Sequence, residues 1–278
     1  MTGSGISKAP GPATSAGIIR IATWNVNSIK VRLPQLLDWL KKDQPDIVLL
    51  QEIKCVDEAF PMMEIEELGY NVAVHGQKTY NGVAILSKFP LEDVSKGLPG
   101  DESDVQARYV EAVASLPGNA LRVASVYVPN GQDAESDKFQ YKLRFLERLH
   151  NHLKTLMGYD EMLAVGGDYN IAPDDMDVHD PALWRGTVLT HDEVRRQFRR
   201  LKNLGLHDGY RVKHPDGQEY SWWDYRAGAF ARDNGLRIDH VLLSAKSVDR
   251  LTGCVIEKEM RAIEKASDHT PVVVELGV

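Results

Sequence analysis

The sequence predicts an α/β sandwich in which two mixed sheets pack face to face with helices outside. Three observations carry that class. Eleven short apolar segments of strand type are spread between residues 18 and 276, whereas helical periodicity appears in only three or four places. No linker and no internal repeat divides the chain after residue 17, so all the strands must share one fold. So few helices cannot cover both faces of every sheet, and the sheets must therefore bury one another.

The 278 residues are 43% hydrophobic and 26% charged, enough to bury a large core, and no apolar run reaches the ~18 residues of a membrane span. Residues 1–17 are rich in Gly, Pro, Ser and Ala and lack the apolar core of a signal peptide, so they read as a disordered leader before a single domain at 18–278. Cys55 and Cys254 stand alone, without CxxC spacing. This excludes a disulfide framework or a thiolate metal site and suits a reducing, cytoplasmic compartment. Lys8 is the one charge in the leader, which leaves 32 of the 33 basic residues against 40 acidic ones. A nucleic-acid binder usually shows a basic surplus. Acids gathered around a metal would distort that total, so local distribution decides.

In chain order, residues 18–24 form a strand that ends in Asn25-Val26-Asn27-Ser28. Leu33, Leu36, Leu37 and Leu40 recur at helical spacing until Gln44-Pro45 stops the helix. Residues 46–50 are a buried strand ending in Gln51-Glu52, and the acidic stretch 57–67 is a short solvated helix. Strands follow at 71–75, 83–87, 109–115 and 121–128, the last ending in Tyr127-Val128-Pro129-Asn130-Gly131. Leu143, Leu146, Leu149, Leu153 and Leu156 share one face of a long helix.

The next strand breaks at Gly166-Gly167 and delivers Asp168 and Asn170, two residues apart and so on one face of an extended chain. Its glycines let the backbone pass close to whatever sits there. Residues 173–180 are an acidic loop. Thr190-His191-Asp192-Glu193 reads as a capping box before a helix with Val194, Phe198 and Leu201 inward and Arg195, Arg196, Arg199, Arg200 and Lys202 around it. Strands close the chain at 220–225, 238–244, 251–257 and 271–276.

Apolar strands repeatedly end in an oxygen-bearing side chain: Asn25, Glu52, Tyr127, Asp168, Asn170. Asp239 opens one late strand and Ser267-Asp268-His269 precedes the last. Each has a bland reading by itself: Glu52 as a helix cap, Tyr127 as a core ring with a wet hydroxyl, His269 as a structural histidine. Together they form a rim. Oxygen donors with one His and no Cys suit Mg²⁺ or Mn²⁺ rather than Zn²⁺. Around such a cation, a His–Asp pair and amides can place water in line with a phosphodiester and neutralise the developing charge.

Thr23-Trp24-Asn25-Val26-Asn27, Leu49-Leu50-Gln51-Glu52-Ile53-Lys54, Gly82-Val83-Ala84-Ile85-Leu86-Ser87, the Tyr127 loop, Gly167-Asp168-Tyr169-Asn170, Gly235-Leu236-Arg237-Ile238-Asp239 and Ser267-Asp268-His269 resemble the exonuclease III family of apurinic/apyrimidinic endonucleases, in order from about residue 18 to 277. Tyr220-Ser221-Trp222-Trp223-Asp224-Tyr225-Arg226 is similar to the same branch.

The resemblance implies a four-layer sandwich and a Mg²⁺-dependent hydrolase of base-excision repair, with Mn²⁺ able to substitute. It would incise 5′ of abasic sites and carry 3′–5′ exonuclease and 3′-phosphatase activity. The implied partner is double-stranded DNA with abasic sites or damaged 3′ ends, met by a monomer with no membrane attachment. Glu52 would be the principal metal ligand, with Asn25, Asp268, Asp168 and Asn170 in the same metal site. Asp168 would orient or deprotonate water, Asn170 contact phosphate, Asp239 orient His269, and Tyr127 sit near the leaving group. Arg108 and Asn130 would contact DNA, and Trp222, Leu236 and Ile238, beside Arg226, would line the sugar pocket.

The identity of the base and the number of metals stay open. Asn130 replaces the Gln that bacterial relatives carry in the Tyr-x-Pro-x-Gly loop, which leaves the balance of exonuclease to endonuclease activity open. Relatives of this fold also hydrolyse inositol phosphates, sphingomyelin or DNA without site preference. A non-catalytic binding member would have lost site residues, and none is missing.

Overall fold

Each of two six-stranded sheets is built around one strand–helix–strand crossover. The computed structural model describes residues 17–277, so the leader lies outside the described residues except for Gly17. Strand β1 (Ile18–Asn25) runs through helix α1 (Ile29–Asp43) into its parallel neighbour β2 (Ile47–Gln51). After α2 (Met62–Glu66), β3 (Asn71–His75) pairs antiparallel with β4 (Val83–Ser87), which pairs antiparallel with β2.

The second sheet takes β5 (Leu91–Lys96), β6 (Tyr109–Leu116) and β7 (Asn119–Tyr127) as an antiparallel meander. It then crosses through α3 (Asp137–Met157) to the parallel β8 (Leu163–Asp168). Short α4 (Pro181–Trp184) and α5 (Asp192–Lys202) precede β9 (His207–Asp208), α6 (Gly209–Lys213) and β10 (Asp239–Leu243). Helix α7 (Ala245–Val248) leads to β11 (Leu251–Ile256) and β12 (Val272–Gly277), which return to the first sheet. The strand orders are β11-β12-β1-β2-β4-β3 and β5-β6-β7-β8-β10-β9.

Period-two alternation sorts the side chains into three apolar layers. Ile19 and Ile21 of β1 meet Val123 and Ala164 between the sheets, while Ala22 and Trp24 turn to Leu36, Trp39 and Leu40 of α1. Val165 of β8 packs against Leu146, Leu149 and Leu153 of α3 and Phe198 and Leu201 of α5. The result is helix, sheet, sheet, helix: the four layers expected.

Several local expectations fail for physical reasons. Residues 220–225 make only isolated bridges, Trp222 to Leu236 and to His269, because their rings fill space between loops instead of alternating across a ladder. Strand β5 is almost wholly exposed and so carries no alternation to detect. Pro61 divides the acidic stretch into a 3-10 turn at Asp57–Ala59 and α2. The cap of α5 is His191, whose Nδ1 accepts from Glu193 N at 3.2 Å, because the Thr190 hydroxyl is spent on the Trp184 carbonyl. The two glycines of β8 close the fold rather than approach a ligand. A Cβ on Gly166 would lie 2.6 Å from Leu49 Cδ1 in the opposite sheet, and one on Gly167 would lie 2.0 Å from the Val126 carbonyl.

The registers place the rim. Tyr127 pairs with Asp168 and Asp168 with Asp239, while Asn25 pairs with Gln51, the residue before Glu52. The ends of both parallel pairs therefore open at one edge of the sandwich. Among the described residues no helix is long and apolar enough to cross a membrane.

Candidate active site

Just past the strand ends, Asn27, Glu52 and Asn170 adopt left-handed backbone, with φ of 43°, 49° and 50°. Such conformations are costly for non-glycine residues and gather at functional sites. Asn25 donates its amide to Glu52 Oε1 and to Asp168 Oδ2, both at 3.0 Å, and its own oxygen accepts from the Asn27 N–H. That backbone donor fixes which way the amide points. Asn25 thus bridges two carboxylates through its amide nitrogen, and its oxygen keeps a second lone pair.

Tyr127 donates to Glu52 Oε1 at 2.9 Å, and Lys54 Nζ lies 2.8 Å from Glu52 Oε2 and 2.5 Å from Asn27 Oδ1. Burial pushes the Glu52 carboxyl up, but Lys54 and the Asn25 amide outweigh it and hold the group below the usual carboxylate range. Burial, with Glu52 and Asp168 nearby, pushes the Tyr127 phenol well up, so Tyr127 acts as a donor.

A second group sits beside it. His269 Nδ1 contacts both oxygens of Asp239, at 2.8 and 3.1 Å, and its Nε2 stands 3.7 Å from Asp168 Oδ2. Ser221 donates to Asp239 Oδ2 at 2.6 Å and fixes the carboxylate from behind. Burial works against the charged ring, yet Asp239 and Asp168 raise the His269 pKa to about 10. Burial lifts Asp168 to about 7, with His269 opposing and Asp239 adding. Ligand atoms of Asp168, Asp239 and His269 lie within 4.8 Å of one another. With its proton on, the imidazole ring has no lone pair to give, so in that state the trio shares a proton among its three side chains.

Asp268 receives Asn27 Nδ2 at 2.9 Å and the Trp222 indole N–H at 3.0 Å. Burial raises its pKa, but His269, Trp222 and Asn27 together bring it below the ordinary value. Three of these contacts cross from one sheet to the other: Asn25 to Asp168, Tyr127 to Glu52, and His269 to Asp239.

The groups open into a cleft of about 830 Å³, floored by Glu52, Asp168, Asn170, Asp268 and His269 and walled by Trp184, Val188, Trp222 and Ile238. An amide chain lines one side. Gln132 N–H donates to Asn130 Oδ1, Asn130 Nδ2 to Asn170 Oδ1, and Asn170 Nδ2 to the Val128 carbonyl. Asn170's oxygen accepts from Asn130, and each amide keeps one N–H free to donate to an anion.

Arg108 lies in an adjoining hollow that shares Tyr127 and Asn130, its guanidinium 4.7 Å from the Tyr127 ring centre. Leu236 is fully buried in the core beneath α3 and α5, because its backbone pairs with Trp222 and turns the side chain inward. Arg226 is exposed and does not line the cleft. Four residues escaped the sequence reading: Ser221, Asn27, Lys54 and Trp184. Asn27 and Lys54 stand two residues from Asn25 and Glu52, a spacing that hints at a shared face. Trp184 sits in a four-residue helix with no periodicity to mark it.

The pattern of the Endonuclease/Exonuclease/phosphatase family matches residues 22–269. The chain belongs to that family. Within it the chain is of the exodeoxyribonuclease III type, an enzyme of phosphoester hydrolysis. It is 36% identical to exodeoxyribonuclease III of Haemophilus influenzae over 92% of this chain and 99% of that protein. An AP endonuclease structure from Archaeoglobus fulgidus superposes with a TM-score of 0.89 at 38% identity, covering 94% of this chain and all of that one. The 3′ phosphatase NExo from Neisseria, bound to a product DNA hairpin, gives 0.90 at 41% identity, covering 93% and 99%. The enzyme's cleft thus has the family's sandwich around it, and the carboxylates and the His–Asp pair lie at one rim.

Proposed function

We propose that the enzyme hydrolyses DNA phosphodiesters, incising 5′ of abasic sites and trimming damaged 3′ ends, with residues 18–278 as one catalytic domain acting as a cytoplasmic monomer. The observation that carries this reading is the paired Asp239–His269, with Asp168 at its far nitrogen, opening into a cleft with an apolar wall. The names of its relatives support DNA as the substrate. His269, held protonated, donates to a non-bridging phosphate oxygen, and the free N–H groups of Asn170 and Asn130 add to that hold. Asp168, lifted toward neutrality, orients water and accepts its proton. The Tyr127 phenol faces the leaving oxygen.

The site also fits a hard divalent cation of the Mg²⁺ or Mn²⁺ kind. The carboxylates of Glu52 and Asp268 would hold it, and the Lys54 ammonium already rests on Glu52 Oε2 and Asn27 Oδ1 as a cation would. When bound, such an ion would supply charge to the developing oxyanion. Glu52→Gln is expected to lower the rate about 10²–10³-fold and to raise the Mg²⁺ concentration needed for half-activity. A metal titration of both proteins checks this, and full wild-type activity in EDTA would overturn it.

Selection of an abasic sugar rests on the wall of the cleft. Trp184 makes no hydrogen bond through its indole N–H, whereas Trp222 also holds Asp268. Trp184→Ala should therefore cut kcat/KM at an abasic analogue roughly 10–200-fold and spare hydrolysis of a 3′-terminal phosphate. Trp222→Ala should lower both. Equal losses for the two substrates in Trp184→Ala would count against the wall as the selector.

Three of the four arginines of α5 are occupied within the chain. Arg196 meets Glu193 at 2.5 Å, Arg195 meets Asp175 at 2.7 Å, and Arg200 forks onto Glu147. Arg196→Ala with Arg200→Ala should leave the salt dependence of DNA affinity unchanged, since phosphate contacts are what set its slope. A flatter slope in a salt titration would place these arginines on DNA.

A further inference from the structure

Lys142 is the only buried lysine among the described residues, fully enclosed on α3, and it forms no ion pair there. Its Nζ donates to three backbone carbonyls: Asn170 at 2.7 Å, Val188 at 2.7 Å and Asn130 at 3.1 Å. An ammonium has three donors and no acceptor, so these partners use its full complement. Burial pulls its pKa down to about 7, and the nearby Asp168 carboxylate opposes that pull.

The three carbonyls belong to three separate segments: the loop after β7, the turn after β8, and the stretch between α4 and α5. The side chains of Asn130, Asn170 and Val188 all line the cleft. Gly131, at φ 96°, lets the first loop close on the lysine stem, since a Cβ there would meet Lys142 Cδ at 3.2 Å.

We propose that Lys142 is a positioning residue of the active site, a three-way tie that sets the spacing of Asn130 and Asn170 relative to Asp168. The inference rests on the phosphodiester reading above, because its effect is to aim the two free amide N–H groups at phosphate. Without the ammonium the three segments lose their common anchor, and a misplacement of about 1 Å at a reacting centre costs about 10²-fold in rate.

Lys142→Met keeps the stem and removes the donors. In the full-length enzyme with Mg²⁺, kcat and KM on an abasic-site duplex are measured per folded molecule, alongside circular dichroism and Tm. The expected result is a kcat about 10²-fold lower with KM nearly unchanged, and partial recovery of kcat in Lys142→Gln, which restores an N–H donor. A lowered Tm with wild-type kcat and KM per folded molecule would overturn the proposal while leaving the functional reading intact. So would a change confined to KM. If neither variant folds, Lys142 serves the fold and the proposal falls. A wild type that leaves the duplex uncut would instead sink the functional reading itself.

Discussion

Asp239→Asn and His269→Asn are each expected to lower kcat by about 10²–10⁴-fold, the usual worth of a positioned acid–base group. The double variant should be little slower than the slower single, because the two side chains act as one unit. Burial alone would lower the His269 pKa, and Asp239 with Asp168 raises it from the ordinary 6.5 to about 10. Activity that depends on the imidazolium should therefore persist through neutral pH and fall near 10. In Asp239→Asn the alkaline limb should move several pH units down.

Stability follows the same linkage. A raised pKa means that the ring's contribution is fully present below about 6.5 and is lost as pH rises toward 10. Asp239→Asn should remove that dependence. Rate profiles and Tm across pH test both, and strictly multiplicative losses in the double variant would argue that the pair is not a unit.

Arg237→Met should destabilise the folded state by about 3–5 kcal/mol, the range for breaking a buried ion pair from one side. The guanidinium is 1% exposed, with Nε 2.7 Å from Asp177 Oδ1 and one terminal nitrogen 2.8 Å from Asp208 Oδ2. Asp177 would keep Arg211 at 2.6 Å, but Asp208 would be left with His240 at 3.7 Å and the Arg211 backbone N–H at 3.5 Å. Burial pushes Asp208 up, and Arg237 with His240 holds it far below its ordinary 3.8.

A depressed carboxylate contributes stability above about pH 3.8 and loses it as pH falls through the folded value. The deficit of Arg237→Met should therefore be largest at neutral pH and shrink toward acid. Chemical denaturation at several pH values measures it. A loss under 1 kcal/mol at pH 7 would refute the account.

How much of this was legible in the sequence depended on which constraint acted. Asn25, Glu52, Tyr127, Asp168 and Asp239 stand at strand ends, where apolar alternation stops, so sequence pattern and register agree on them. Trp184 and β5 carry no periodicity, because their placement is decided by the surfaces they cover. Ile238 and Leu236 are two residues apart and look equivalent in sequence. The bridge from Leu236 to Trp222 sends one into the core and leaves the other at the cleft. The direction of the Asn25 and Asn170 amides was beyond sequence altogether, since a backbone donor in one case and a backbone acceptor in the other decides it.

The contacts that join the two sheets at the rim link residues distant in the chain: 143 positions separate Asn25 from Asp168, and 75 separate Glu52 from Tyr127. Neither sheet alone holds a working set. Local opening that parts the sheets should abolish hydrolysis before either sheet melts, because the least protected cooperative unit governs what such openings expose. A nascent or partly denatured chain would then be harmless to DNA, and cutting competence would arrive only with the last, most non-local step of folding.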